Sequence, residues 1–505
     1  MNRRTALQTL AGVATLPVVG RHVHTPARAR STNTGTEPFE PLGIVDIEGA
    51  KDAAVHHDGE VAYVAATDGF ASVDISDPAN PAVLAERRDI DTGEERPFRG
   101  VWDLWPWEDR LAVVGPANPD PSSANGLALF DIADPAAPEQ VAFFETDYYI
   151  HNSYFDDGIV YLAGNGLEPN AVVMVDVTAD DPEEVGRWDL TEHEAAWGEV
   201  RRPFRPLHDL YVQDGIAYLA YWDAGTWIVD VSDPRDVTFI SRIGDYTPED
   251  LQTLEPPRSQ FEWAIPPGNH HYTQVSDSGD LLAIGVESWT VDTGEELIGG
   301  PGSVHLYDVT DETEPEHLAE IEAPESYDQT REGQFTTAHN LDIVDDRLYT
   351  SWYFGGVKIH DVSDPGDPEE LAWWRDPDVG SFWTAQSAVP GEYFVASSAG
   401  NVGAELGVDH AVEPRAGLFV FPDRAGDQPD PPDLTAPPDG RGESGEGSGN
   451  GQSQTAGSEE ETDGNNTDDD ESNGVDETGP GFGVVAALTG LGGGYLLRQR
   501  TDEIE

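Results

Sequence analysis

One short pattern recurs along this chain and constrains its fold more than any other feature: an apolar strand ending in Asp-Ile/Val-Ser/Thr/Ala that runs into Asp-Pro or a nearby proline. It stands at Asp74-Ile75-Ser76-Asp77-Pro78, Asp131-Ile132-Ala133-Asp134-Pro135, Asp176-Val177-Thr178, Asp230-Val231-Ser232-Asp233-Pro234, Asp308-Val309-Thr310 and Asp361-Val362-Ser363-Asp364-Pro365. Leu418-Phe419-Val420-Phe421-Pro422-Asp423 is a seventh, degenerate copy. Upstream of each copy lie a strand such as His208-Asp209-Leu210-Tyr211-Val212, a turn such as Asp214-Gly215, and a second strand such as Ile216 to Ala220. Downstream lies one more, such as Val237 to Ile243. Period-2 alternation, β-branched and aromatic enrichment, and Gly or Asp-Pro turns give four antiparallel strands per unit. A unit of this kind covers its apolar faces only against its neighbours, so the expected fold is all-β, a seven-bladed β-propeller.

The ring can be counted by its outer strands. These follow six copies, near 81–90, 138–145, 183–190, 236–243, 315–322 and 368–375, while the seventh copy runs straight into a polar tail. A missing outer strand would leave an unpaired edge. Pro41-Leu42-Gly43-Ile44-Val45-Asp46-Ile47 has the pattern to fill it, so an N-terminal strand is expected to close the propeller. The repeats resemble those of the LVIVD-repeat β-propeller family over residues 39–423. That likeness implies the fold and says little of function, since propellers host both enzymes and binding modules.

The first strand of a unit opens with histidine in four consecutive copies: His151-Asn152, His208-Asp209, His271-Tyr272 and His339-Asn340. If first strands are innermost, these imidazoles converge at one channel mouth. At this position the other copies offer Asp52, Trp102 and Thr384. Long insertions at 190–207, 244–270 and 323–338, rich in aromatics, Arg and Pro, precede three of the histidines and are expected to form a lid. Trp188, Trp197, Phe204, Phe261, Trp263 and Phe335 are candidate pocket walls, and Arg201, Arg202, Arg205 and Arg331 candidate anion-holding groups. Together with Asn152, Asp209 and Asn340, Arg205 and Trp263 make up the candidate pocket. Three readings of the histidines stand side by side. They ligate a transition metal, copper, iron or manganese being suited to imidazole without thiolate; they act in acid–base chemistry; or they hydrogen-bond the blade-to-blade loops as a duplicated structural habit.

Ala338-His339-Asn340-Leu341-Asp342-Ile343-Val344-Asp345-Asp346-Arg347-Leu348-Tyr349, continuing through Trp352, Gly355-Gly356 and Asp361 to Pro365, resembles one blade of the selenium-binding protein/methanethiol oxidase family. That resemblance implies copper and the oxidation of small sulfur compounds. The family's cysteine-bearing motif has no counterpart in a chain without cysteine.

Composition narrows the field. Asp and Glu number 97 against 27 Lys and Arg, for a formal net charge of -70, and Lys51 and Lys358 are the only lysines. Self-repulsion of such a surface is screened within roughly 3 Å at 1 M salt but only about 8 Å at 0.15 M, which suits a protein tuned to molar salt. No basic patch exists to neutralise phosphates, so nucleic acid is not an expected partner. Without cysteine, disulfides and thiolate metal sites are excluded. No G-x-S-x-G, P-loop or H-E-x-x-H pattern occurs, and the Asp residues of the Asp-Pro turns read as turn formers rather than calcium ligands.

The two ends speak of export. Arg3-Arg4 before an apolar stretch to Val19 resembles a twin-arginine signal over residues 1–30, with cleavage expected after Ala29. Residues 424–479, rich in Gly, Ser, Asp and Glu, are expected to be a disordered acidic stalk, with Asn465-Asn466-Thr467 a glycosylation acceptor at Asn465. Pro480-Gly481-Phe482, an apolar run from Gly483 to Leu497, and Arg498-Gln499-Arg500 resemble the PGF-type sorting signal of archaeal surface proteins, a C-terminal apolar helix. The resemblance implies an archaeosortase-like processing enzyme and a lipid or transmembrane anchor on the extracellular face of the cell membrane. The expected function is thus a cell-surface binding or interaction module of a haloarchaeal envelope, meeting envelope components or a small-molecule ligand. The alternative is a metal-dependent, copper or iron, extracellular oxidoreductase with a His cluster at the propeller mouth.

Overall fold

The computed structural model describes residues 38–437, apart from 94, 404–409 and 411. The twin-arginine segment, the stalk beyond 437 with Asn465, and the C-terminal apolar segment lie outside the described residues. No helix among the described residues is long and apolar enough to cross a membrane.

The repeat units fold as seven antiparallel sheets, each a four-stranded meander. The fourth blade shows the pattern: Asp209–Gln213, Ile216–Ala220, Thr226–Asp230 and Thr238–Ile243 pair in sequence order. Two local rules set the unit. Alternating apolar residues cover both faces of each sheet. The recurrent Asp then stops the third strand, since its carboxylate accepts hydrogen bonds from the backbone and hydroxyl two residues on, as in Asp230 with Ser232 at 2.9 and 2.6 Å and Asp176 with Thr178 at 2.9 and 2.6 Å. These are side-chain turns that bend the chain toward the outer strand.

First strands are innermost. Ala50–Val55 packs on Asp103–Trp107, that on Ile150–Asp156, and so on around to Phe382–Val389, which returns to Ala50–Val55. Seven buried apolar clusters each lie between two adjacent blades, for example Leu210, Val212, Met174 and Trp227 between the third and fourth, and Val395, Val420, Val64 and Val73 between the seventh and first. Face-to-face burial all around the ring is what a set of two-sided apolar sheets requires.

Closure follows the sequence expectation. Gly43–Asp46 pairs antiparallel with Ala416–Pro422 in the register Gly43 to Val420, Ile44 to Phe419, Val45 to Leu418 and Asp46 to Gly417. Phe39, fully buried, stacks on Phe394 and Phe421 at 6.5 and 5.9 Å between ring centroids. Arg415 donates to Asp46 at 2.8 Å.

The segment from 424, assigned to the stalk on composition, begins with ordered chain. Gly426–Asp427 adds a fifth, parallel strand to the sixth blade beside Ala372 and Trp373. Asp427 O accepts from Phe39 N at 2.9 Å, Gln428 exchanges bonds with the backbone of Arg375 at 2.9 Å each, and Leu434 O accepts from Tyr327 N at 2.8 Å. Composition missed it because main-chain pairing, not apolar burial, holds most of this run.

Burial makes the fold acid-sensitive at defined places. His360, on the third strand of the sixth blade, is buried with an unpartnered Nδ1, and burial first, then the charge of Lys358, lower its pKa from 6.5 to about 3. His270, bonded to Thr226 Oγ1 at 2.8 Å, is likewise lowered to about 3, chiefly by burial. Because the folded pKa lies below the unfolded one, the unfolded chain binds the extra proton as pH falls below 6.5, and stability is lost across that window down to about 3. Each such imidazole steepens the loss by up to about 1.4 kcal/mol per pH unit. Denaturant titrations between these limits should show His360→Gln reducing the slope by close to one proton; an unchanged slope would mean that His360 titrates alike in both states.

Candidate functional site

At one end of the channel consecutive residues at the start of the innermost strands, such as His151-Asn152, His208-Asp209 and His339-Asn340, both make contacts with other blades, which strict alternation along a strand would not allow. Bulges make it possible. The pairing register shifts between Ala50 and Ala53, Ile150 and Ser153, His270 and Tyr272, and Phe382 and Thr384, in the first, third, fifth and seventh blades. In the other three blades the corresponding pairs, Trp102-Asp103, His208-Asp209 and His339-Asn340, sit where the chain enters its first strand. A bulge leaves one residue out of the ladder and re-aims a side chain, a recurrent device beside functional sites.

The upper of the two rings brings the four histidines together. Adjacent ring centroids are 4.4 Å apart for His151 and His208, 4.0 Å for His208 and His271, and 4.3 Å for His271 and His339. Trp383, 4.4 Å from His339, and Trp102, 5.6 Å from both Trp383 and His151, complete the circuit. Lys51 of the first blade lies behind, its Nζ 5.8 Å from the Trp383 ring. The seventh blade thus contributes Trp383 to this level, with Thr384 one level lower.

Backbone carbonyls fix two of the rings. His151 Nδ1 bonds Ala117 O at 2.8 Å and His339 Nδ1 bonds Trp383 O at 2.6 Å, so each Nδ1 carries the proton and each Nε2 lone pair is left for another partner. The Nδ1 atoms of His208 and His271 are buried without a partner. His151, His271 and His339 are buried, and His208 is half-buried. Burial holds all four neutral: it lowers His151 to about 4 and His339 to about 3, and takes His208 and His271 well below 6.5, with neighbouring imidazoles adding to the effect in the last three.

Glu287 completes the cluster, and the repeat pattern gives no hint of it. One ligating atom each from His208, His271 and Glu287 lies within 4.8 Å of the others, and Glu287 Oε2 is 3.7 Å from His271 Nε2. The other oxygen accepts from Tyr353 Oη at 2.6 Å. Burial raises the Glu287 pKa to about 7, opposed by the Tyr353 bond and the nearby Arg331 charge. Glu287 heads an insertion between the second and third strands of the fifth blade, which carries the hairpin Thr290–Asp292 and Leu297–Gly299. That unusual length is the only sequence signal that marks it.

The lid differs in part from expectation. Phe335, Trp289, Tyr353, Phe354, Ala399, Val402 and Val412 form one buried cluster with Trp383, flanked by Trp263 and Trp102. Of the candidate walls, Trp263 and Phe335 therefore belong to the mouth. Trp188, Trp197 and Phe204 do not: they pack around Trp227 in the core between the third and fourth blades. The 190–207 insertion winds into short turns, Leu190–His193, Ala195–Glu199 and Arg202–Phe204, whose apolar side chains fill that core. Arg205 ties the same insertion to the third blade, donating to Val200 O at 2.8 Å and pairing at 2.7 Å with Glu168, in the turn before Ala171–Asp176; among the described residues its hydrogen bonds and ion pairs go there and not to the imidazoles. Arg331 does reach the mouth, its guanidinium 5.1 and 5.7 Å from the rings of Trp289 and Trp263. Asn152, Asp209 and Asn340 lie one level below the histidines, Asn152 donating to Asp209 at 2.7 Å.

Fold and site define the class: a closed seven-bladed β-propeller of four-stranded blades with a histidine-rich mouth. Comparison with known families then places the chain. Residues 50–87 and 207–244 match the LVIVD repeat and residues 479–500 match the PGF-CTERM motif. The chain thus carries LVIVD repeats in a β-propeller together with a PGF-CTERM motif, which marks a cell-surface, membrane-anchored archaeal protein and is processed by archaeosortase. No curated protein matches the chain. Among solved structures it is similar to U3-55K, at 11% identity and a TM-score of 0.50 over 77% of this chain and 100% of that one, and to the RRP9 WD40 repeats, at 11% identity and a TM-score of 0.51 over 77% and 99%. At such identity the likeness is one of fold.

Proposed function

We infer that this protein is an exported metalloprotein of the archaeal surface, holding a divalent first-row transition-metal ion on His208, His271 and Glu287, with His151 and His339 turning their Nε2 atoms toward the same space. The convergence of two imidazoles and a carboxylate within 4.8 Å carries the reading. The supporting details are those a bound ion needs. All four imidazoles are neutral, two are held by Nδ1–H bonds to backbone carbonyls, and Glu287 is oriented by Tyr353. Ligating histidines and carboxylates are usually fixed by such outer partners. A nitrogen-rich set with one carboxylate suits iron, copper or manganese. The ion would supply Lewis-acid or redox chemistry; the protein supplies the surrounding aromatic wall of Trp289, Phe335, Tyr353 and Trp383. A redox-capable site assembled before or during export to the cell exterior is consistent with the twin-arginine-like N-terminus, the strongly acidic composition and the PGF-CTERM motif.

A second reading keeps the propeller as a surface binding module. The bonds of His151 to Ala117 O and His339 to Trp383 O cross from one blade to its neighbour, as a purely structural histidine would. Elemental analysis of protein purified without chelators separates the two readings. One equivalent of transition metal, with resonance or absorption features of imidazole ligation, supports the metalloprotein. Metal-free protein that takes up none of iron, copper or manganese on titration rejects it.

A further inference from the structure

One level below the histidines the channel carries Asp52, Asp103, Asn152, Asp209, Tyr272, Asn340 and Thr384, one residue from each blade in turn around the ring. Asp52, Asp103 and Asp209 are 6%, 2% and 4% exposed. The carboxyls of Asp52 and Asp103 lie close enough for each to act on the other's protonation, Thr384 lies beside Asp52, and Asn340 donates to Asp52. Asp103 Oδ2 also takes the backbone and hydroxyl of Ser153, each at 2.7 Å. Burial raises the pKa of all three, Asp52 to about 6, against the hydrogen bonds from Ala53 N, Ser153 and Leu210 N, and among the described residues no cationic side chain pairs with them to offset the charge they carry when ionised.

Asn340 points to what does. Its Nδ2 donates to Asp52 Oδ2 at 3.1 Å, which fixes the orientation of the amide, because a flip would set oxygen against carboxylate. The amide oxygen is then buried without a partner, in a residue only 3% exposed. The carboxylates beside it are acceptors like itself. An orphaned carbonyl oxygen among carboxylates is a ligand set waiting for a positive centre, and one made wholly of oxygen is hard in character.

We propose that the second ring is a binding site for a hard divalent cation of the Ca2+ type, bridged by Asp52 and Asp103 and completed by Asn340 Oδ1 and the Thr384 hydroxyl, with Asp209 supplying further charge from across the channel. The site is separate in chemistry from the nitrogen-rich mouth above and does not depend on a metal there. Its role is to draw together the first strands of four consecutive blades that span the closure: Asn340 from the sixth, Thr384 from the seventh, Asp52 from the first and Asp103 from the second.

The test uses the full chain carrying His208→Ala and His271→Ala, so that the mouth cannot compete, after chelation and at fixed ionic strength. Titration with Ca2+ up to about 1 mM, followed by calorimetry and thermal unfolding, should show one bound equivalent and a raised unfolding midpoint, the range expected of extracellular calcium modules. Asp103→Asn should weaken binding about 10-fold or more, and Asn340→Asp, which adds a charged oxygen, should strengthen it. Absence of Ca2+ uptake, or an unfolding midpoint raised by Asp52→Asn and Asp103→Asn without any cation, would overturn the proposal and show that Asp52 and Asp103 share a proton instead. Equal Ca2+ binding by Asp103→Asn and the parent would also overturn it.

Discussion

Chelated protein reconstituted with iron(II) or copper(II) should bind one equivalent, and replacing His208 and His271 together by alanine should reduce this to background. The two side chains supply two of the three converging ligand atoms, and what remains, Glu287 with two flanking imidazoles, no longer closes around a point. Tyr353→Phe makes the sharper test. It leaves every ligand in place and removes the hydroxyl whose 2.6 Å bond orients Glu287, so affinity should fall about 10- to 100-fold, the usual cost of losing an outer partner, with little change in unfolding midpoint. If the double alanine variant keeps its metal, the ion sits elsewhere. If Tyr353→Phe destabilises the fold as much as it weakens binding, the phenol is a packing group of the lid.

Breaking ring closure should give the largest loss of stability. Phe39→Ala empties a fully buried position packed against the stacked pair Phe394 and Phe421, a change that costs about 3–5 kcal/mol in well-packed cores. Gly417→Val attacks the same junction through the backbone: a Cβ on Gly417 would stand 2.2 Å from Val45 O, so Gly43–Asp46 could not pair in its register. The seventh sheet would keep three strands and show a bare edge, which favours aggregation. Unfolding midpoints and sedimentation of both variants against the parent measure the effect; a Gly417→Val protein that stays monomeric with parental stability would show that the closing strand is dispensable.

Sequence alone revealed the ring because its signals are local and repeated. The Asp that ends each third strand makes the same side-chain turn in copy after copy, and Gly43 to Asp46 needed only a strand-like pattern and a vacancy to fill. Histidine convergence was readable for the same reason, since equal register in successive blades brings equal positions together. Glu287, Tyr353, Trp289 and Trp383 were not readable. They come from insertions and blade ends without repeat register, and they meet only because the mouth gathers loops from different blades. Trp188, Trp197 and Phe204 misled because aromatic content does not tell a lid from a wedge between sheets. Paired inward residues such as His208-Asp209 conceal a second ring, because bulges and strand entries break the alternation that would otherwise turn every other side chain outward.

The short run after Asp423 gains meaning from where the chain is fastened. A protein tied to a membrane by its C-terminus feels drag at that end. The parallel pair of Gly426–Asp427 with Ala372 and Trp373, and the Gln428 and Leu434 backbone bonds, meet such a pull before Ala416–Pro422 does. Tension is handed to the flank of the sixth blade, and the seam where the two ends of the circle join is spared from being unzipped.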